Sequence, residues 1–346
     1  MNVMTCYSVK NIVEKLFLLF MMGFAFCACG DDESYTLGVW HRRSDFDGLA
    51  RGSAAGFTIA DKGYVCGGYT GTTYKRVTDL WEYDIQGGYW TQCASMPDAA
   101  TARTGASGFA KGYITLGQDN SSNYLADTWE YDPATDTWTQ KDDYKGGARI
   151  SAIAFGIGQY GYVGTGYNGN YQKDFYRFDP QAAAGQQWEI VNGFGGQKRQ
   201  GGTSFVIDDK AYICCGVNNG SYVYDFWCFD PSTGVFTQLR DIADTSDDDY
   251  DDDYTSIVRA NAVSFVIDGK GYLVTGEYGS LLSNYWIYDP ATDLWEGEDL
   301  TAFEGSVRKN AVAFSTGTRG FVVTGQASSS YYDDTWELSP YEYEEE

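Results

Sequence analysis

The chain has 346 residues, of which 48 are acidic and 24 basic, for a formal net charge of −24. A balance this acidic argues against nucleic acid or an anionic membrane face as a partner, since both call for a basic surface. With Tyr 29, Phe 19, Trp 10 and Gly 42 against six prolines, the composition suits one large all-β domain. The one histidine, His41, rules out a zinc site built on histidines, and any Ser-His-Asp or Cys-His arrangement would have to use it.

In chain order, Lys10 and Lys15 precede the apolar run "LFLLFMMGFAFCA", long enough for the core of an export signal and short for a membrane span. It ends in "FCACGDDES", which resembles a bacterial lipoprotein signal with Cys29 as the lipidated first residue of the mature chain. Cys27 is the alternative lipidation site, and a plain cleaved signal the alternative reading. Asp31 and Asp32 resemble the tag of lipoproteins displayed on the surface of some two-membrane bacteria. The expected division is a signal at 1–28, a tether at 29–38, a domain at 39–340 and an acidic tail at 341–346. The expected location is the outer membrane, with the lipid as the only membrane contact.

Six segments then begin at Arg51, Arg103, Arg149, Arg199, Arg259 and Arg308, about 46 to 60 residues apart. Each holds an apolar small-residue strand, then a Gly-aromatic strand ("GYVCGG", "GYITLG", "GYVGTG", "AYICCG", "GYLVTG", "GFVVTG"). After a variable loop comes a third strand ("DLWEYD", "DTWEYDP", "DFYRFDP", "DFWCFDP", "NYWIYDP", "DTWELSP"). A final aromatic follows at Trp90, Trp138, Trp188, Phe236 and Trp295. Four short strands per unit with turn chemistry between them describe a propeller blade. The sixth unit lacks its last strand, and "LGVWHRRSDF" precedes the first unit. Trp40 is therefore expected to complete the last of six blades and leave no open sheet edge.

These residues resemble kelch-repeat propellers, including the galactose-oxidase-like kelch proteins among bacterial surface lipoproteins, over roughly residues 39 to 340. The chain departs from that pattern in its glycines, for only Gly67-Gly68 keeps the doublet of the family. The galactose-oxidase label implies a copper radical site with two histidines, which a chain with one histidine does not supply. Six-bladed kelch proteins also imply a sialic acid mutarotase or epimerase, which would need an arginine to hold an anion and an acid/base such as Glu277.

Strand direction puts the six arginines on the same face as Asp79, Asp127, Asp174, Asp225, Asn284 and Asp334, which open the third strands. Two readings follow: a guanidinium–carboxylate pair inside each blade, or an arginine ring at the channel mouth that holds an anionic ligand. Directly after the second-strand glycine come Tyr69, Gln118, Tyr167, Val217, Glu277 and Gln326, with Asn168, Asn218 and Asn219 nearby. Aromatic and amide groups of this kind suit a sugar or peptide. Glu277 could instead pair with Arg259. The third-strand tryptophans Trp81, Trp129, Trp227, Trp286 and Trp336 are expected to pack in the core.

The loop "DTSDDDYDDDYTSI", residues 244 to 257, reads as a solvated loop on this face, with calcium at 247–253 as the alternative. Cys66, Cys93, Cys214, Cys215 and Cys228 lack metal-ligand spacing, and Cys66 and Cys214 read as small buried side chains. The expectation is a monomeric, surface-anchored module for a glycan or protein ligand, without a cofactor, or else a non-catalytic scaffold.

Overall fold

Hydrophobic alternation in the six units gives six four-stranded antiparallel sheets among the described residues, and no helix. The computed structural model describes residues 35–97, 103–109 and 112–345. Cys29 and the expected signal lie outside them, and no described helix is long and apolar enough to cross a membrane. The first sheet is Ala55–Ile59, Lys62–Cys66, Leu80–Asp84 and Tyr89–Cys93, hydrogen-bonded in sequence order, and the next four repeat that order. The first strands adjoin one another in succession, and Val312–Ser315 of the sixth sheet touches Ala55–Ile59 of the first.

The sixth sheet differs in its outermost strand, which is Tyr35–Arg42 laid antiparallel on Thr335–Glu345. Trp40 lies opposite Leu338. In the other sheets the corresponding pairs are Trp90 with Tyr83, Trp138 with Tyr131, Trp188 with Phe178, Phe236 with Phe229, and Trp295 with Tyr288. Trp40 thus holds the place of the final aromatic. It is buried, meeting Phe303 edge-on at 4.8 Å and Tyr285 at 5.9 Å. Pairing also exceeds the expected 39–340 span, because Tyr35, Thr36 and Leu37 face Glu345, Glu344 and Tyr343. The acidic tail continues a strand.

Two backbone features repeat at one end of all six sheets. The second strand ends in a pair of left-handed residues, and the second of the pair is always glycine, with φ from 93° at Gly166 and Gly276 to 111° at Gly117. The first is Gly67, Leu116, Thr165, Cys215, Thr275 or Thr324, with φ between 58° and 66°. The glycine N–H donates to the carbonyl of the next unit's arginine: Gly68 to Arg103, Gly117 to Arg149, Gly166 to Arg199, Gly216 to Arg259, Gly276 to Arg308, and Gly325 back to Arg51, at 2.7 to 2.9 Å.

Nearer the axis, Gly105 N–H donates to Ser53, Ser151 to Gly105, Gly201 to Ser151, Asn261 to Gly201, Asn310 to Asn261, and Ser53 to Asn310, at 2.8 to 3.0 Å. All six of these residues also have positive φ. Small residues beside them, such as Ala54, Ala106, Ala152, Gly202, Ala262 and Ala311, line an axial cavity of about 260 Å³. Backbone donors that would otherwise lie unpaired at the centre are satisfied from one unit to the next.

Candidate functional site

The six arginines are 0 or 1% exposed, so their guanidinium groups are held within the sheets. Arg51 binds Asp79 through two parallel bonds of 2.6 and 2.8 Å, and Arg103 binds Asp127 at 3.0 and 2.6 Å. Arg149 binds Asp174, and Arg308 binds Asp334, in the same fork, while Arg199 reaches Asp225 through Nη2. The within-blade pair foreseen from strand direction is present in five sheets. In each sheet Nη1 also donates to the carbonyl of the first left-handed residue, from Gly67 to Thr324. The arginine clamps the strained turn from which the face residues project.

The third-strand tryptophans do more than fill space. Trp81, Trp129 and Trp336 donate Nε1–H to Asp79, Asp127 and Asp334 at 2.6 to 2.8 Å. Each carboxylate is therefore fixed from two sides. In the fifth sheet Trp286 turns to Ser256 instead. There Arg259 meets the Asn284 Oδ1 at 3.1 Å and the carbonyls of Ile257, Thr275 and Asn284 at 2.9 to 3.2 Å. Burial without a carboxylate pulls the Arg259 pKa down. Glu277 does not supply the missing charge. Its Oε1 accepts from Asn261 Nδ2 at 2.9 Å and its Oε2 from Lys309 Nζ at 2.7 Å.

The residues after the glycines, Tyr69, Gln118, Tyr167, Val217, Glu277 and Gln326, are half-buried and pair back onto the residues that follow the arginines. Any ligand on this face meets these side chains before it meets the buried guanidiniums. Short hairpins rise from the same positions, setting Arg76, Tyr124, Tyr171, Tyr222, Leu281 and Tyr331 across from them. Sequence reasoning missed these partners. Their signal is a fixed spacing, three residues ahead of the strand-opening acid or Asn284, which loop variability obscured.

The hairpins assemble three aromatic pairs. Tyr69 and Tyr331 have centroids 5.9 Å apart, Tyr167 and Tyr171 5.0 Å, and Tyr222 and Tyr278 4.7 Å. Gly279 N–H holds the Tyr222 hydroxyl at 2.9 Å, which fixes that ring, while Tyr278 stays 48% exposed. Amides stand between the pairs, with Gln118 Nε2 tied to the Ser122 carbonyl and Gln172 Nε2 to Asn168. Rigid aromatic faces with oriented amides can stack on apolar patches and hydrogen-bond hydroxyls.

In the acidic loop, Asp251 is buried and binds its own loop through Thr245 N–H, Ser246 N–H and Ser246 Oγ, each at 3.0 Å. Oxygen atoms of Asp244, Asp251 and Asp252 lie within 4.8 Å of one another, so the 247–253 run brings two of its carboxylates to a third outside it. A hard cation suits such oxygens. His41 lies in the outermost strand, opposite Glu337, with its Nε2 at 2.9 Å from Glu342. Cys66, Cys214 and Cys215 are buried free thiols, and Cys93 and Cys228 are half-buried free thiols.

The kelch motif matches residues 50–97 and 198–241, which hold the first sheet and the fourth. Among solved structures, one titled "Structure of YjhT" superimposes with a TM-score of 0.68 and 16% identity, over 85% of this chain and 95% of that one. The fold is a kelch-type β-propeller. At that identity the likeness speaks for the fold alone, and no curated protein matches the sequence. The kelch propeller clarifies the incomplete doublet. Where the pattern has its first glycine, Leu116, Thr165, Cys215, Thr275 and Thr324 adopt the same left-handed backbone as Gly67. The conformation outlives the residue that makes it easy, at a cost of roughly 1–2 kcal/mol each.

Proposed function

We propose that the chain is a binding module for a glycan, held on the propeller face that carries the hairpins, with a protein ligand as the alternative occupant. The observation behind this is the set of tyrosine pairs Tyr69–Tyr331, Tyr167–Tyr171 and Tyr222–Tyr278 on turns clamped by buried arginines. In this reading the six sheets are six blades, and the Trp40 strand closes the last one. The register of Trp40 with Leu338 and the hydrogen bond from Gly325 to Arg51 support that closure.

The six arginines act here through the residues they position, with Tyr69, Gln118, Tyr167, Glu277 and Gln326 as the first contacts. The same reading makes the protein a surface lipoprotein of the galactose-oxidase-like kelch group, lipidated at Cys29 in the outer membrane and monomeric. An acid/base role for Glu277, which a mutarotase or epimerase would need, draws no support from its pairing with Lys309 and Asn261.

The full chain in detergent, screened on a glycan array, tests the reading. Binding of one sugar class that falls at least tenfold in Tyr222→Ala supports it. Silence across the array, with a protein captured instead, favours the alternative occupant, and silence with neither leaves a scaffold.

A further inference from the structure

We propose that Arg76 forms an anion-binding subsite between the first and second sheets, so that the ligand of this face carries a carboxylate or sulfate next to an apolar surface. The inference rests on the reading of the hairpin face as a binding surface and adds the charge of what binds there. Arg76 belongs to the first hairpin, opposite Tyr69.

In a chain with twice as many acids as bases, a half-buried arginine is expected to have found a carboxylate. Arg76 has not: among the described residues its side-chain hydrogen bond is from Nη2 to the neutral Gln118 Oε1, at 2.7 Å. Its Nε is buried with no partner. A buried donor left without an acceptor is destabilising. Asp119 is near enough for its carboxyl to feel the charge, but its oxygens are taken by Ser121 N–H, Asn123 N–H and Asn123 Nδ2 at 2.8 to 2.9 Å.

The position of the guanidinium is set before any ligand arrives. Asn120 accepts from Arg76 N–H at 2.9 Å and donates to its carbonyl at 3.1 Å, which locks the hairpin to the second sheet. The Gln118 amide is oriented by its bond to Ser122, so its oxygen faces the arginine. The guanidinium carbon lies 6.0 Å from the centroid of Tyr69, whose ring tilts toward Tyr331. A planar cation with unused donors beside two tyrosine rings suits an oxyanion joined to an apolar group, because the fork of donors matches two oxygens on one centre.

Saturation-transfer NMR on the full chain tests this with three small probes of similar shape: benzoate, benzenesulfonate and neutral benzyl alcohol. Transfer to benzoate or benzenesulfonate at least fivefold above benzyl alcohol is expected, and the stronger of the two anions identifies the ligand's acid group. Arg76→Gln should bring the anions down to the level of benzyl alcohol, and Arg76→Lys should retain part of the difference. Equal transfer to all three probes, or an unchanged anion signal in Arg76→Gln, overturns the subsite. Because Tyr222→Ala on the glycan array is read separately, loss of this subsite would leave the binding reading standing, and failure of the array would not by itself remove the subsite.

Discussion

Asn284 faces Arg259 across 3.1 Å in the one sheet where the buried arginine meets an amide in place of a carboxylate. Asn284→Asp would supply the charge that the other five sheets have, with Ser256 turning its hydroxyl to donate. It is expected to raise stability by about 1–3 kcal/mol, the worth of a charged hydrogen bond. Arg259→Ala should instead cost about 3 kcal/mol, since it strips donors from several buried acceptors. Denaturant midpoints for the two variants decide the matter, and a neutral Arg259→Ala would remove the clamp from the account.

Trp40→Ala should destabilise by about 3–5 kcal/mol, as for a large core aromatic. Tyr343→Ala, at a residue 69% exposed, should change stability by less than about 0.5 kcal/mol. Removing residues 30 to 45 is therefore expected to lower the melting temperature far more than removing 341 to 346, although the shorter truncation also loses the pairing with Tyr35–Leu37. Equal melting temperatures would contradict the role given to the outermost strand.

Acid should weaken the sixth sheet. Burial would raise the carboxyls of Asp334 and Glu337, but hydrogen bonds from Arg308 to Asp334, and from Arg319 and Arg43 to Glu337, outweigh it and hold both below their ordinary values. Their contribution is full above the unfolded carboxyl range, near pH 4, and is lost as pH falls through the depressed folded values. Unfolding followed from pH 6 to pH 2 should show this loss, and Asp334→Asn should flatten it.

Thr275 and Thr324 hold left-handed backbones that β-branched residues rarely adopt, and each has a buried hydroxyl with no partner. Thr275→Gly and Thr324→Gly should each stabilise by roughly 1 kcal/mol, the relieved strain exceeding the lost methyl burial. Thr165→Gly should gain less, because the Thr165 hydroxyl accepts from Ile153 N–H. Calorimetry on the three variants would show whether the ranking holds.

Much of this was legible in the residues. Trp40 could be assigned to the sixth sheet because five other units supplied the register it completes, and the Arg–Asp pairs followed from counting strand reversals. The depth of the arginines was not legible, since the same letters serve a buried clamp or an exposed ring. Nor were the backbone bonds from Ser53 round to Asn310, because a left-handed serine or asparagine looks in sequence like any other. The hairpin tyrosines Tyr124, Tyr171, Tyr222 and Tyr331 lay in plain view, yet loops of unequal length hid their common distance from the strand that follows.

The outermost strand also bears on mechanics. Tyr35 lies at the end of its sheet opposite the hairpins, and the strand from there to Arg42 is matched to Glu345–Trp336 at seven register positions. Tension on the chain ahead of Tyr35, directed away from the hairpins, runs along the strand axis. It loads those rungs together in shear, so they cannot peel one at a time. A molecule gripped on the hairpin side and pulled against that end would load this strand pair along its axis.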